Sequence, residues 1–441
     1  MAQKVGEGAG RKSAGEYPEG ATYSRFVKRR QGMGRFWHGA FLSATLVGVL
    51  ALVALLANIS NDAFGNVAIR YKTEPAAVLA AYFAQNSVPE GAAPTADLAQ
   101  QPDAVLREIV RQNISAGRLR ALEVQGAPLT ERTHDDLVQL VETEVLKPEI
   151  AQTWPLWDSL FDRSRVQAEA EALGDGITLQ FRSWINWTFI TSPQSSDPLK
   201  AGIATAIFGS LWVTLLAFLV AIPLGVAAAI YLEEYNTGQS RIDQLIETNI
   251  NNLAGVPSII YGMLGLAVFV RILGPITSGV LFGATDPTTA NGRTILSAGL
   301  TLGVLILPLV IINAREAIRA VPRAMREGAY GLGATRWQTT WHHVLPSALP
   351  GILTGVILSV SRAFGETAPL IVVGVSTYIV VNPDNIFAKY TTLPAQIYQW
   401  TSRPQQEFQH LAAAAIIVLL LLLVTLNAAA IWLRNRYSRR V

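Results

Sequence analysis

Arg362 and Glu366 are the only charged residues in an apolar run from about Ala348 to Gly374. A charge at membrane depth costs roughly 2.5–3.5 kcal/mol on insertion scales, so something must offset it. A spacing of four residues puts both side chains on one face of a helix, one turn apart. A guanidinium stays charged and presents a planar fork of donors, which suits a tetrahedral oxyanion. A carboxylate one turn along would neutralise it when no anion is present and keep the anion from binding too tightly to leave. The same two residues also suit a structural ion pair between helices. Thiolate chemistry is excluded, because the chain has no cysteine. No Gly-x-x-x-x-Gly-Lys-Ser/Thr loop occurs, so the chain has no usual cradle for ATP phosphates and is expected to bind no cofactor of its own. His134 beside Asp135 and Asp136 reads as a solvated helix start rather than a site.

Just before this run lies a polar stretch of unusual pattern, Pro322 to Thr335, closing on Leu345-Pro346. Pro322 is suited to a helix start, and Glu327 lies early enough to favour the helix dipole. Gly328, Gly331 and Gly333 weaken an isolated helix, so they point to a tight bend or to another surface approaching closely. A plain surface connection fits the same residues.

These candidates have to be positioned by membrane-length helices. Half of the 441 residues are hydrophobic, and they cluster in long runs. The runs are 36–59, 203–232, 250–273, 295–313, 348–374 and 410–433, which predicts an all-α polytopic membrane protein with six transmembrane helices. The first run exceeds an ordinary signal-peptide core and reads as a retained span. Residues 1–35 are Gly-rich and basic, with Arg25, Lys28, Arg29, Arg30 and Arg35, and read as a disordered cytoplasmic tail; no nucleic-acid partner is expected. Residues 60–200 form an insert predicted to be mainly helical. Asp103 is a candidate cap for a helix with Val105, Leu106, Ile109 and Val110 inward, and Thr130 for one with Leu137, Leu140, Val141 and Val145 inward. A third helical pattern follows Pro155. Gly174-Asp175-Gly176 reads as a turn, and Ile177, Leu179 and Phe181 alternate as in a short strand. Trp184, Trp187 and Phe189 suit a return to the membrane interface. Residues 201–433 make up the transmembrane domain, with its polar loop at 316–347, and 434–441 a second basic tail.

Charge gives the orientation. The insert holds 12 Lys/Arg against 19 Asp/Glu, leaving 23 against 13 elsewhere. The loop before Ala348 carries Arg315, Arg319, Arg323, Arg326 and Arg336, and the tail carries Arg434, Arg436, Arg439 and Arg440. Both termini and that loop are thus expected in the cytoplasm, with the insert on the periplasmic side of a bacterial inner membrane.

The loop also carries a resemblance. Glu327-x-Ala329, Gly333 and Leu345-Pro346 match the spacing of the cytoplasmic coupling loop of ABC-importer permeases, with Gly328 and His343 as departures. Leu253 to Gly262, Leu349 to Gly355 and Arg362 to Leu370 resemble the phosphate-specific Pst permeases, the Ala-Pro-Leu ending being closer to the PstA type. The resemblance covers about residues 200–433, and the insert fits the extended PstA variety. It implies a type I ABC-importer permease core that carries inorganic phosphate past Arg362, Glu366 and Thr367. It also implies coupling through Glu327, Ala329, Gly333, Leu345 and Pro346 to a PstB-type ATPase dimer, which would hold ATP and Mg. A PstC-type permease and a PstS-type periplasmic phosphate-binding protein complete the implied partners, all in membrane lipid. The competing readings are a sulfate or molybdate permease and a membrane sensor with an external ligand-binding domain.

Overall fold

The computed structural model describes residues 20–86, 98–125, 127–174, 176–236, 241–283 and 288–438. Most of the predicted N-terminal tail, Asp175 of the predicted turn, and Arg439 and Arg440 lie outside the described residues. Five described helices are long and apolar enough to cross a membrane, and counting one bent pair as a single span makes six.

The chain divides into two compact units, one ending at Asn58 and the other starting at Ile59. The first consists of helix α1 (Gly20–Ala63) up to that point. From Gly20 to Arg35 the predicted disordered tail is therefore helical. No proline lies between Pro18 and Pro75 to stop it.

In the second unit the insert is not purely helical. Strands β1 (Phe64–Tyr71), β2 (Pro148–Pro155) and β3 (Ile177–Ser183) form an antiparallel sheet in the order β2-β1-β3. Only β3 is foreseen by alternation. β1 begins where α1 ends and carries Gly65, Asn66 and Arg70 among its apolar residues, while β2 has few apolar residues and a proline at each end. Both faces of β1 are covered. Val67 and Ile69 join a cluster with Trp184, Phe189 and the 408–418 stretch, and Ala68 packs with Trp154, Val166 and Ala170. The helical lobe beside the sheet buries the predicted faces, Val105, Leu106, Ile109 and Val110 against Leu137, Leu140, Val141 and Val145. Its caps differ from expectation. Thr133, not Thr130, caps the helix at His134, in a reciprocal box with Asp136. Asp103 is the first residue of its helix and meets His134 Nδ1 at 2.7 Å.

The bundle comprises α2 (Ala204–Ile230), α3 (Arg241–Ala254), α4 (Ser258–Gly265), α5 (Ile295–Arg319), α6 (Arg323–Gly331), α7 (Leu345–Gly365), α8 (Ala368–Val373), α9 (Leu393–Thr401) and α10 (Gln406–Ser438). Two predicted spans are broken. The run 250–273 bends by 107° between α3 and α4. The run 348–374 ends α7 at Gly365 and restarts as α8. A proline marks both, although Pro223, Pro308 and Pro350 sit inside unbroken helices of the same bundle. In a continuous helix, Pro257 would leave the Leu253 carbonyl without its donor, and the Pro369 ring would strike the Gly365 carbonyl. Tyr261 repairs the first break, since its hydroxyl donates to Leu253 O at 2.7 Å.

Insert and bundle are joined by Gln194, which donates Nε2 to Thr377 O and accepts from Ile379 N–H, and by a histidine. His410 of α10 is buried, donates Nδ1 to Asp62 O at 2.6 Å, and has Nε2 2.9 Å from Thr153 Oγ1. Its ring stacks on Trp184 at 5.5 Å between centroids.

Candidate functional site

Arg362 and Glu366 sit at the α7–α8 break rather than on an unbroken helix. Gly365 is the last residue of α7, and Glu366 is already extended, at φ −76° and ψ 122°. Arg362 Nε still reaches Glu366 Oε1, at 3.3 Å. The arginine side chain is 47% exposed and the glutamate 16%, so the guanidinium faces open space while its partner is tucked in. Thr367 starts α8 without making a capping hydrogen bond.

Helix register gives the level of the pair. On α7, Gly351 lies against Ala317 of α5, and Gly355 against Asn313. Continued at that rate, the antiparallel register brings Arg362 level with about Ile306, close to the middle of the 25-residue α5. Ala363, next in sequence, shares a buried cluster with Leu302, Leu305 and Ile306. On the other flank, Ser361 Oγ donates to Asn427 Oδ1 of α10 at 2.7 Å. Asn427 is not among the candidates drawn from the sequence, although an amide inside a leucine-rich run is a visible signal.

The two broken spans meet here. A Cβ on Gly262 of α4 would stand 2.7 Å from Pro369 Cα and 2.8 Å from Pro369 O, so glycine alone lets α4 approach the start of α8 this closely. Two of the stretches that resemble Pst permeases thus lie against each other, with the ion pair at the lower end of α8. The third, Leu349 to Gly355, supplies the glycines that seat α7 on α5.

The second group lies on the polar loop. Residues Arg323–Gly331 form α6, directly after Pro322. Glu327 is exposed on it and Ala329 is buried. Gly333 has φ +85°, the left-handed conformation that lets Ala334 N–H close the helix onto Ala329 O at 3.1 Å. Thr335 and Gln338 then form a reciprocal cap, and the chain runs through Leu345 and Pro346, both half-buried, into α7. Leu332, just past α6, is 92% exposed, and Trp337 stacks on Trp341 at 5.4 Å in an apolar groove shared with Pro223, Val226 and Ile230 of α2.

A cluster of ion pairs links α6 to the ends of α2 and α5 and to α3. Glu233 accepts from Arg315 Nε and Arg319 Nη2, each at 2.9 Å. Arg315 also meets Glu247 at 3.0 Å, and Arg326 meets Glu234 at 2.7 Å. The sequence signal was two adjacent glutamates ending an apolar run opposite an arginine-rich loop. In the insert, both ring nitrogens of His134 face acceptors, Asp103 Oδ1 and Ala99 O at 3.0 Å, and these hold its pKa above the ordinary histidine value, Asp103 contributing most.

Residues 221–441 match the family model described as the binding-protein-dependent transport system inner membrane component. The chain belongs to that family of ABC-importer permeases. A probable ABC transporter permease protein of Bacillus subtilis (strain 168), YqgH, is 36% identical over 218 residues, covering 49% of this chain and 64% of that one. The phosphate transport system permease protein PstA 1 of Mycobacterium tuberculosis (strain CDC 1551 / Oshkosh) is 32% identical over 255 residues, covering 58% and 77% respectively. A solved inward-facing methionine ABC transporter, MetNI, is 16% identical and aligns over 54% of this chain and 96% of its own, with a TM-score of 0.38. A score that low bears on no assignment.

Proposed function

We propose that this permease carries inorganic phosphate, as one half of a translocation pathway completed by a second permease chain. The observation that carries the reading is Arg362: a guanidinium held at a helix break level with the middle of α5, half-exposed, and balanced by one carboxylate. The relative named as a phosphate transport permease supports it. Arg362 would receive the anion, and Glu366 would hold the guanidinium between passages. Glu366 also favours phosphate over sulfate. Near neutral pH phosphate keeps a proton that a carboxylate can accept as a hydrogen bond, whereas sulfate offers only lone pairs.

The remaining roles follow from the loop. Glu327, on the exposed face of α6, would dock with Leu332 on an ATPase subunit that binds ATP and Mg. Ala329, Gly333, Leu345 and Pro346 would hold α6 in shape and lead its movement into α7. The loop would then face the cytoplasm and residues 60–200 the periplasm, where a phosphate-binding protein would deliver the ion. The test is co-purification of the chain from membranes, followed by ATPase stimulation and uptake competition among phosphate, sulfate and molybdate. Stimulation and uptake specific to phosphate are expected. Equal competition by sulfate would overturn the assignment.

A further inference from the structure

Glu233 and Glu234 close the second span, and each takes hold of a different element. Arg326 of α6 donates to Glu234 Oε1 from Nη2 at 2.7 Å and from Nε at 3.1 Å. The same guanidinium donates Nη1 to Val321 O at 2.7 Å and Nη2 to Ile318 O at 2.9 Å, the last carbonyls around the end of α5. The Glu234 side chain is only 4% exposed and that of Arg326 17%. One residue earlier, Glu233 binds Arg315 and Arg319 of α5, and Arg315 reaches on to Glu247 of α3.

Exposed ion pairs contribute little, because water screens them and two flexible side chains must be ordered. This pair is nearly dry, forked and supported by two carbonyls, so its geometry is fixed and removing one partner strands the other. It also fixes α6 to an unexpected place. The chain runs from α6 towards α7, yet Arg326 also ties α6 to the end of the second span, 92 residues back. Further along, α2 itself lies against α5, where Gly225 leaves room for Val310.

We propose that Arg326–Glu234 is a strut that delivers displacement of α6 directly to α2, so that α2 and α5 move with the docking helix instead of waiting on α7. Arg326 and Glu234 are positioning residues in this proposal, which rests on reading α6 as the element that docks on the ATPase. The test uses the complete importer reconstituted in vesicles. This chain has no cysteine of its own, so an engineered pair is the only thiol pair in it, and the unmodified importer treated with the same reagent controls for thiols on the other subunits. Arg326→Lys and Glu234→Gln should each lower phosphate moved per ATP hydrolysed by about five-fold or more, the lower end of ordinary coupling between sites. The ATPase should stay bound in both. The double variant Arg326→Cys with Glu234→Cys should show the same loss, and a short bifunctional thiol reagent should restore transport by replacing the ion pair with a covalent link. Any of three results would overturn the strut alone: normal transport per ATP in a single variant, loss of the ATPase in Glu234→Gln, or a cross-linked double variant that stays uncoupled. An unmodified complex that retains no ATPase would instead remove the docking reading, and the strut with it.

Discussion

Gly262→Ala puts the contact between the two broken spans to a quantitative test. The new methyl carbon would stand 2.7 Å from Pro369 Cα, 2.8 Å from Pro369 O and 3.1 Å from Val372 Cβ. Ordinary contact for a Cβ begins near 3.4 Å, so α4 and α8 must part by about 0.7 Å. The neighbouring atoms are mostly backbone, and those of a proline, so no rotamer change makes room. Overpacking of this kind costs about 1–3 kcal/mol. If that cost falls on the arrangement that sets Arg362 beside Glu366, the competent population drops about five- to 150-fold. The assay is the initial rate of labelled phosphate uptake into vesicles holding the complete importer, normalised to the amount of this chain present. Gly274→Ala is the control, because nothing lies within 4 Å of its Cβ position. Uptake within two-fold of the unmodified protein, at normal levels of Gly262→Ala, would refute the argument that this close approach sets the geometry of the site.

Arg362→Gln should abolish phosphate uptake while membrane insertion and complex assembly persist; near-normal uptake would remove Arg362 from the pathway. Glu366→Gln should let sulfate compete with phosphate, which competition assays on the purified complex would read directly. Glu327→Lys should raise ATP hydrolysis per phosphate moved, because a reversed charge on the exposed face of α6 disturbs docking, and unchanged coupling would count against the loop. The His134–Asp103 contact gives a pH dependence. The folded-state pKa of His134 is raised, so its contribution to the insert is complete below the ordinary histidine value of about 6.5 and fades as pH rises through the raised value. Amide protection factors at residues 134–146, taken relative to the intrinsic base-catalysed rate at each pH, should therefore fall over that interval, and His134→Gln should flatten the fall.

Much of the span pattern could be read from composition, because a run such as 203–232 is decided by length and hydropathy alone. The insert faces at Val105–Val110 and Leu137–Val145 were equally legible, since a helical period needs no partner to be seen. The breaks were legible only in part. Pro257 and Pro369 announce the loss of a backbone donor, but the angle at which the chain continues depends on what fills the gap. Here that is Tyr261 in one case and Gly262 against Pro369 in the other. The residues Arg362 and Glu366 stood out by cost, whereas their level became visible only through the seating of Gly351 and Gly355 on α5. Arg326 and Glu234 were hidden for a different reason. Glu234 ends an apolar run and Arg326 lies in an arginine-rich loop, but only tertiary contact across 92 positions makes them a pair.

His410 gathers three segments made at very different times during synthesis: Asp62 at the start of the insert, Thr153 and Trp184 within it, and α10 near the end of the chain. The apolar side of β1 that meets Trp184 is covered by Phe408, Leu411 and Ala415 of the same late helix. A ribosome stalled before residue 406 would thus leave an insert with its underside bare. Quality-control proteases should recognise such a chain by its first two hundred residues, although the defect lies in the last forty.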